Sequence, residues 1–360
     1  MEKRALIDNL NNSEIEEIIN YYKTAKTSEL CKKAASLCEK THGKNIILRG
    51  LIEFTNYCSQ DCLYCGIRKS NLNAVRYRID KDEIIKTVMI GYNAGLRTFV
   101  LQGGEDPFYT YDKICKILEQ IKKVTEYNAS ITLSIGIKSR KIYKRFKEAG
   151  ADRYLLRFET SDPKIYQKIK VNDSFERRIA AILDIKDLGY ETGSGYMTGL
   201  PGETEETRIN NALLCKELDL DMVGVGPFIP STNTPLSESP KMPLEYSIRA
   251  TALLRLLLPK AHIPATTAAG TIDPLGREKM VKAGANVLMP NITPVEQKKH
   301  YLIYPGKICL DENGNEIIKD LALRMSSIDR KITFSRGNAL RFSKFLKEES
   351  HAPMAGQEVR

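Results

Sequence analysis

From residue 46 onward the chain repeats one unit: a short apolar or β-branched run, a loop, then a stretch with helical spacing. This repetition limits the fold more than any other feature. Read by alternation and flanking turn residues, the strands fall at 46–54, 98–102, 130–134, 153–157, 191–197, 222–227, 263–267 and 286–289. Ala94-Gly95, Ala149-Gly150, Leu188-Gly189 and Ala283-Gly284 each stand just before a strand, where a glycine adopts the left-handed conformation that closes a helix. Strands separated by helices pair in parallel. No Gly-x-Gly-x-x-Gly follows any strand, so eight units read as a closed (β/α)8 TIM barrel rather than an open doubly wound sheet. A chain of 360 residues accommodates one such barrel of about 250 residues with an extension at each end.

The expected boundaries are a helical extension over 1–45, the barrel over 46–292, a C-terminal extension over 293–350 that caps the barrel, and a disordered tail over 351–360. Ser13 with Glu16 reads as a capping box. Leu30, Ala34, Leu37 and Cys38 recur at helical spacing, and Cys31 and Cys38 lie seven apart, near one buried face, as small hydrophobes. Asp311-Glu-Asn-Gly314 reads as a turn. The net charge of +10 attracts anions in general. Lysines and arginines are nevertheless interspersed with acids, as in Asp80-Lys-Asp-Glu-Ile-Ile-Lys86, which is the pattern of a solvated surface, so no nucleic-acid partner is expected. No run of about 18 apolar residues occurs, and the first eight residues lack a signal-peptide pattern. The expectation is a cytoplasmic protein with no membrane partner.

Three of the eight cysteines, Cys58, Cys62 and Cys65, form C-x3-C-x2-C just after the first expected strand. Three close thiolates hold three irons of a four-iron cluster and leave the fourth open to a ligand. Structural zinc is the weaker alternative, because it needs a fourth protein ligand that only the distant Cys115, Cys215, Cys309 or His42 supplies. Gln102-Gly103-Gly104-Glu105-Asp106-Pro107 follows the second strand; by itself it is a tight turn. Arg157-Phe158-Glu159-Thr160 ends the fourth, with a cation and a carboxylate on one side of an extended segment.

With Tyr64 before the last cysteine, the triplet resembles the radical S-adenosylmethionine (SAM) superfamily. The resemblance implies a 4Fe-4S cluster on Cys58, Cys62 and Cys65 whose open iron binds the amino and carboxylate groups of SAM. An electron from a low-potential donor then cleaves SAM to methionine and a 5'-deoxyadenosyl radical. It also implies SAM contacts at Tyr64, Gln102, Gly103, Gly104, Glu105, Ser134, Arg157, Glu159, Arg178 and Met197. Gly199-Leu-Pro-Gly202-Glu203-Thr204 is similar to a recurring superfamily loop.

Longer stretches narrow the resemblance. Ile52-Glu-Phe-Thr-Asn56, Leu63-Tyr-Cys-Gly-Ile-Arg68, Val100 to Pro107, Ala151 to Arg157, Val223 to Pro230, Ile263 to Thr271 and Tyr304-Pro-Gly-Lys307 are together similar to the HydE family of iron-iron hydrogenase maturases. This implies action on an iron carbonyl cyanide cysteine complex delivered by a partner maturase, with Arg153, Thr266, Thr267 and Tyr301 lining the substrate cavity. Arg and hydroxyl donors in a dry enclosure suit an anionic complex; the Thr pair alone would also reflect β-propensity at a strand end. Two departures stand out. Cys309 has Ile317 and Asp320 where an accessory cluster in some relatives has cysteines, and Phe158 stands where some relatives carry His. Biotin synthase and methylornithine synthase have similar barrels, so a radical enzyme acting on a small organic substrate is the alternative. A non-catalytic iron-sulfur scaffold is the contrasting class.

Overall fold

The computed structural model describes residues 10–311 and 313–342. The expected tail at 351–360, the end of the C-terminal extension and residues 1–9 lie outside the described residues. Nine strands are present among them: β1 (Asn45–Leu48), β2 (Gly50–Thr55), β3 (Thr98–Gly103), β4 (Ser130–Ser134), β5 (Arg153–Leu155), β6 (Glu191–Thr198), β7 (Met222–Pro227), β8 (Val287–Leu288) and β9 (Lys331–Thr333). β2 to β7 form one parallel sheet in chain order, and β8-β1-β9 form a second. Single parallel bridges, Met222 to His262 and Pro264 to Val287, continue the pairing from β7 to β8, while Leu51 bridges to Asn291. The result is an α/β fold with a parallel sheet, barrel-like in its strand order.

Eight regular strands are therefore not what forms. The expected strand at 263–267 is reduced to bridges, because Pro264 has no N–H to donate and Thr266 instead caps the helix Thr267–Ile272. The expected first strand divides at Arg49, where its partners change from β8 and β9 to β3. The fourth ends at Leu155, short of Arg157. β9 was not anticipated; it pairs with β1. The capping box of the first helix uses Asn11 and Glu14 rather than Ser13 and Glu16, since Asn is as good an N-cap as Ser and stands two residues earlier. The expected turn near Gly314 is a helix entrance: Asn313 and Glu316 exchange capping bonds of 2.9 and 3.0 Å.

Local punctuation behaves as the sequence suggests. Gly95, Gly150, Gly189 and Gly284 all have φ between 77° and 111°, so each helix closes in a conformation that favours glycine. In the helix Thr27–His42, Leu30, Ala34 and Cys38 are buried and Cys31 packs partly buried against the core. No helix among the described residues is long and apolar enough to cross a membrane.

Register defines the two ends of the sheet. Thr98, Ser130, Arg153, Glu191 and Met222 begin their strands, and Thr55, Gly103, Ser134 and Thr198 end them. The C-terminal segment after β9 closes the first end. The Arg336 carbonyl accepts from Thr98 Oγ1 (2.7 Å) and from Arg153 (2.8 Å), and the Ala339 N–H donates to Glu191 (3.0 Å). The other end is left to the long loops.

Candidate functional site

The loop that follows β2 carries the three cysteines and is fastened by its own polar groups. Arg76 donates to four backbone carbonyls, those of Asn56, Ile67, Arg68 and Asn71, at 2.5 to 3.1 Å. Asn56 reaches the carbonyls of Val75 and His300 at 2.7 and 2.8 Å. At Gly66 the loop passes so close to the chain that an added Cβ would lie 2.1 Å from the Leu302 carbonyl oxygen, so only glycine fits. None of these anchors has a pattern that sequence reasoning would find.

Each thiol comes to rest against donors or its neighbours. Cys58 Sγ accepts from the backbone N–H groups of Gln60 and Glu105, both at 3.4 Å, and Cys62 Sγ accepts from Lys170 Nζ at 3.2 Å. Burial pushes the Cys58 thiol up, and burial together with Cys62 pushes Cys65 up to about 12. Both shifts favour the protonated thiol at Cys58 and Cys65, so metal binding must displace those protons. No three His, Cys, Asp or Glu among the described residues converge on one ion. A four-iron cluster asks for a different arrangement, one thiolate per iron, with the sulfurs set apart and N–H donors around them. The triplet and its donors fit that group. Cys115 faces the Arg145 carbonyl, Cys309 faces Arg277, and His42 contacts Arg255 and the Pro259 carbonyl, so none of these three joins the triplet.

Around the thiols stand the residues expected to meet SAM. Glu105 follows Gly104, whose Cβ position lies 2.1 Å from the Tyr57 carbonyl oxygen, and its carboxylate accepts from Gln60 Nε2 at 3.2 Å. It also lies against Gly136, where a Cβ would come 2.1 Å from Glu105 Cδ. Glu159 accepts from Tyr64 Oη at 3.2 Å and from Arg157 Nε at 3.0 Å. Its φ of 68° corrects the expected extended segment and marks backbone strain of the kind found at working sites. Desolvation and the Glu159 carboxylate push the Tyr64 phenol well up. Arg178 is held by Tyr166 and Asp173 at 3.0 Å. Ser134 ends β4 half-buried, and Met197 packs with Tyr64 beside Ile165, Ile169, Leu200 and Phe228. Gln102, one residue before Gly103, donates to Tyr301 Oη at 3.4 Å. Phe158 is buried and stacked on Tyr196 with ring centroids 5.9 Å apart, so here it is a packing residue.

Of the four residues expected to line a substrate cavity, three sit at this end. Thr266 lies 3.1 Å from the Cβ position of Gly226 in β7, with Thr267 next to it, and Tyr301 is tied to Gln102. Arg153 is a correction. It starts β5 at the opposite end, fully buried, and its guanidinium is taken up by Glu191 (2.7 Å), Thr98 (3.3 Å), Asn338 (2.8 Å) and the Arg336 carbonyl. Sequence reasoning missed Glu53 and Lys307, a buried pair at 2.5 Å beneath Tyr301, with Lys307 also donating to the Tyr301 carbonyl at 3.1 Å.

Comparison with known proteins bears on this arrangement. The radical SAM superfamily profile matches residues 52–215. The chain is 45% identical over 302 residues to the [FeFe] hydrogenase maturase subunit HydE of Thermotoga maritima, covering 84% of this chain and 86% of that one. It is 30% identical over 291 residues to 3-methylornithine synthase of Methanosarcina acetivorans, covering 80% and 81%. Among solved structures, methylornithine synthase (PylB) superposes with a TM-score of 0.77 at 25% identity, covering 89% of this chain and 94% of that one.

Proposed function

This chain belongs to the radical SAM superfamily of enzymes, and from that premise we propose that it is a HydE-type maturase. In this reading it acts in the cytoplasm on an iron carbonyl cyanide cysteine complex during assembly of the iron-iron hydrogenase two-iron subcluster. The observation that carries the reading is the 45% identity to HydE across 84% of the chain. Its cofactors are a 4Fe-4S cluster and SAM, which together supply a 5'-deoxyadenosyl radical when one electron arrives from a low-potential donor.

The chain's own part is to hold and orient. Cys58, Cys62 and Cys65 are the cluster ligands. Glu105, with the backbone of Gly103 and Gly104, would receive the ammonium of SAM, and Arg157 its carboxylate. Glu159 and Tyr64 are paired where a ribose hydroxyl would find both an acceptor and a donor. Gln102, Ser134, Met197 and Arg178 complete the wall. Thr266, Thr267 and Tyr301 offer hydroxyls to an anionic complex from the far side of the sheet's open end. Partner maturases would deliver the complex and receive the product.

The likeness to methylornithine synthase supports a second reading, a radical enzyme that acts on a small organic substrate. Complementation separates the two. A strain lacking its own HydE, supplied with this protein and with the partner maturases from the same source, should regain hydrogenase activity. SAM cleavage without such rescue, with matched partners, would favour the second reading.

A further inference from the structure

Lys170 stands where a charge can act on the cluster through one of its cysteines, with its ammonium on Cys62 Sγ and over the ring of Tyr64. It follows directly on the short helix Pro163–Ile169 and ends it, with φ of −122° and its N–H bonded to the Tyr166 carbonyl. One residue earlier, the Ile169 carbonyl accepts from the Leu63 N–H at 3.0 Å. The helix end is thereby sewn to the cysteine loop at the residue after Cys62, which fixes the lysine relative to the thiol. Lys170 is only 9% exposed, and its Nζ lies 3.2 Å from Cys62 Sγ and 5.5 Å from the centre of the Tyr64 ring. No carboxylate among the described residues pairs with it. The half-buried Lys138 directs its ammonium to the Ile135 carbonyl at 2.8 Å instead.

An ammonium removed from water, paired with no acid and aimed at a sulfur, is costly unless that sulfur is anionic. A cluster ligand is such a sulfur. Hydrogen bonds and charge next to the ligating sulfurs are among the levers that set a cluster's reduction potential. Reduction adds one electron, and so one negative charge, to the cluster. A fixed positive charge therefore stabilises the reduced state more than the oxidised state and raises the midpoint.

We propose that Lys170 is a positioning residue whose charge, held against Cys62, sets the reduction potential of the cluster and so the ease with which the donor's electron enters. The proposal rests on the cluster assignment above, and iron content of the unaltered protein reports that assignment separately.

The test is an anaerobic redox titration of the reconstituted full chain, followed by electron paramagnetic resonance of the reduced cluster without SAM. Lys170→Met removes charge and hydrogen bond, Lys170→Gln removes only the charge, and Lys170→Arg keeps both. The midpoint should shift negative in the Met and Gln variants and stay near the unaltered value in Arg. If Met fails to hold a cluster, Gln still gives the reading. An unshifted midpoint in the neutral variants would overturn the proposal, including the outcome in which they lose only SAM affinity and Lys170 serves the cofactor carboxylate instead.

Discussion

The two ends of the parallel sheet hold similar side chains to opposite effect. Where the strands begin, buried charges are met by other protein groups. Arg153 meets Glu191, Lys122 meets Asp152 at 2.7 Å, Arg341 meets Asp221 at 2.5 Å, and the segment after β9 supplies carbonyls to what remains. Arg49 is the exception: its Nε finds no partner, and burial, with Arg153 nearby, draws its pKa down to about 9. Where the strands end, groups keep capacity in reserve. Arg157 is 30% exposed at its side chain, and the three thiols accept from backbone N–H groups or a lysine, none of them from an acid. The open end also holds closed pairs, Lys307 with Glu53 and Arg178 with Asp173. The pair proposed for binding is therefore set apart by the exposure of its arginine, 30% at the Arg157 side chain against 0% at Arg153.

The sharpest way to break this contrast is at the sealed end. Arg153→Ala leaves Glu191 buried and unpaired, so we expect a loss of about 3–5 kcal/mol in folding stability, read by denaturant unfolding. SAM affinity, measured where the variant is still folded, should be unchanged. Retained stability with lost SAM binding would return Arg153 to the working end.

Next in size is a pH effect at the same end. Burial raises the Asp221 pKa to about 6, against the lowering effect of Arg341 and the Thr192 N–H. The folded state then binds a proton that the unfolded state has released between roughly pH 4 and pH 6. This group's contribution to stability falls as pH rises through that window, by up to about 3 kcal/mol, and is restored on acidification. Asp221→Asn should flatten the dependence of unfolding free energy on pH there. An unchanged slope would show that Asp221 is ordinary.

The smaller expected effects lie at the open end. Arg157→Ala or Glu159→Gln removes a charge-assisted contact proposed for SAM, about 1.5–3 kcal/mol each, which is roughly tenfold or more in affinity by equilibrium binding. Iron content and folding stability should stay close to the unaltered protein. Normal SAM affinity in both variants would remove them from the cofactor site.

Features set by neighbours in sequence were legible in it. The four helix-closing glycines need only a local φ, and a loop with three cysteines in eight positions announces metal by spacing alone. Arg153 shows what local reading misses. It and Arg157 lie on one face of one segment, yet four residues at about 3.3 Å each put them at opposite ends of the sheet, and only the register of β5 against β4 and β6 tells which is which. Glu53 with Lys307, and Lys170 with Cys62, are joined across 254 and 108 positions, so no periodicity marks them. The strand expected at 263–267 had the right composition, but Pro264 and the capping bond of Thr266 turned it into bridges and a helix start.

The cysteine loop is where the cluster must sit, and iron content tests it. Anaerobically reconstituted protein should bind about four irons per chain, as one 4Fe-4S cluster requires. The variant with Cys58, Cys62 and Cys65 all changed to Ala should bind almost none while remaining folded, because the loop is held by Arg76 and Asn56 rather than by the thiols. A triple variant that still assembles a cluster would contradict the account.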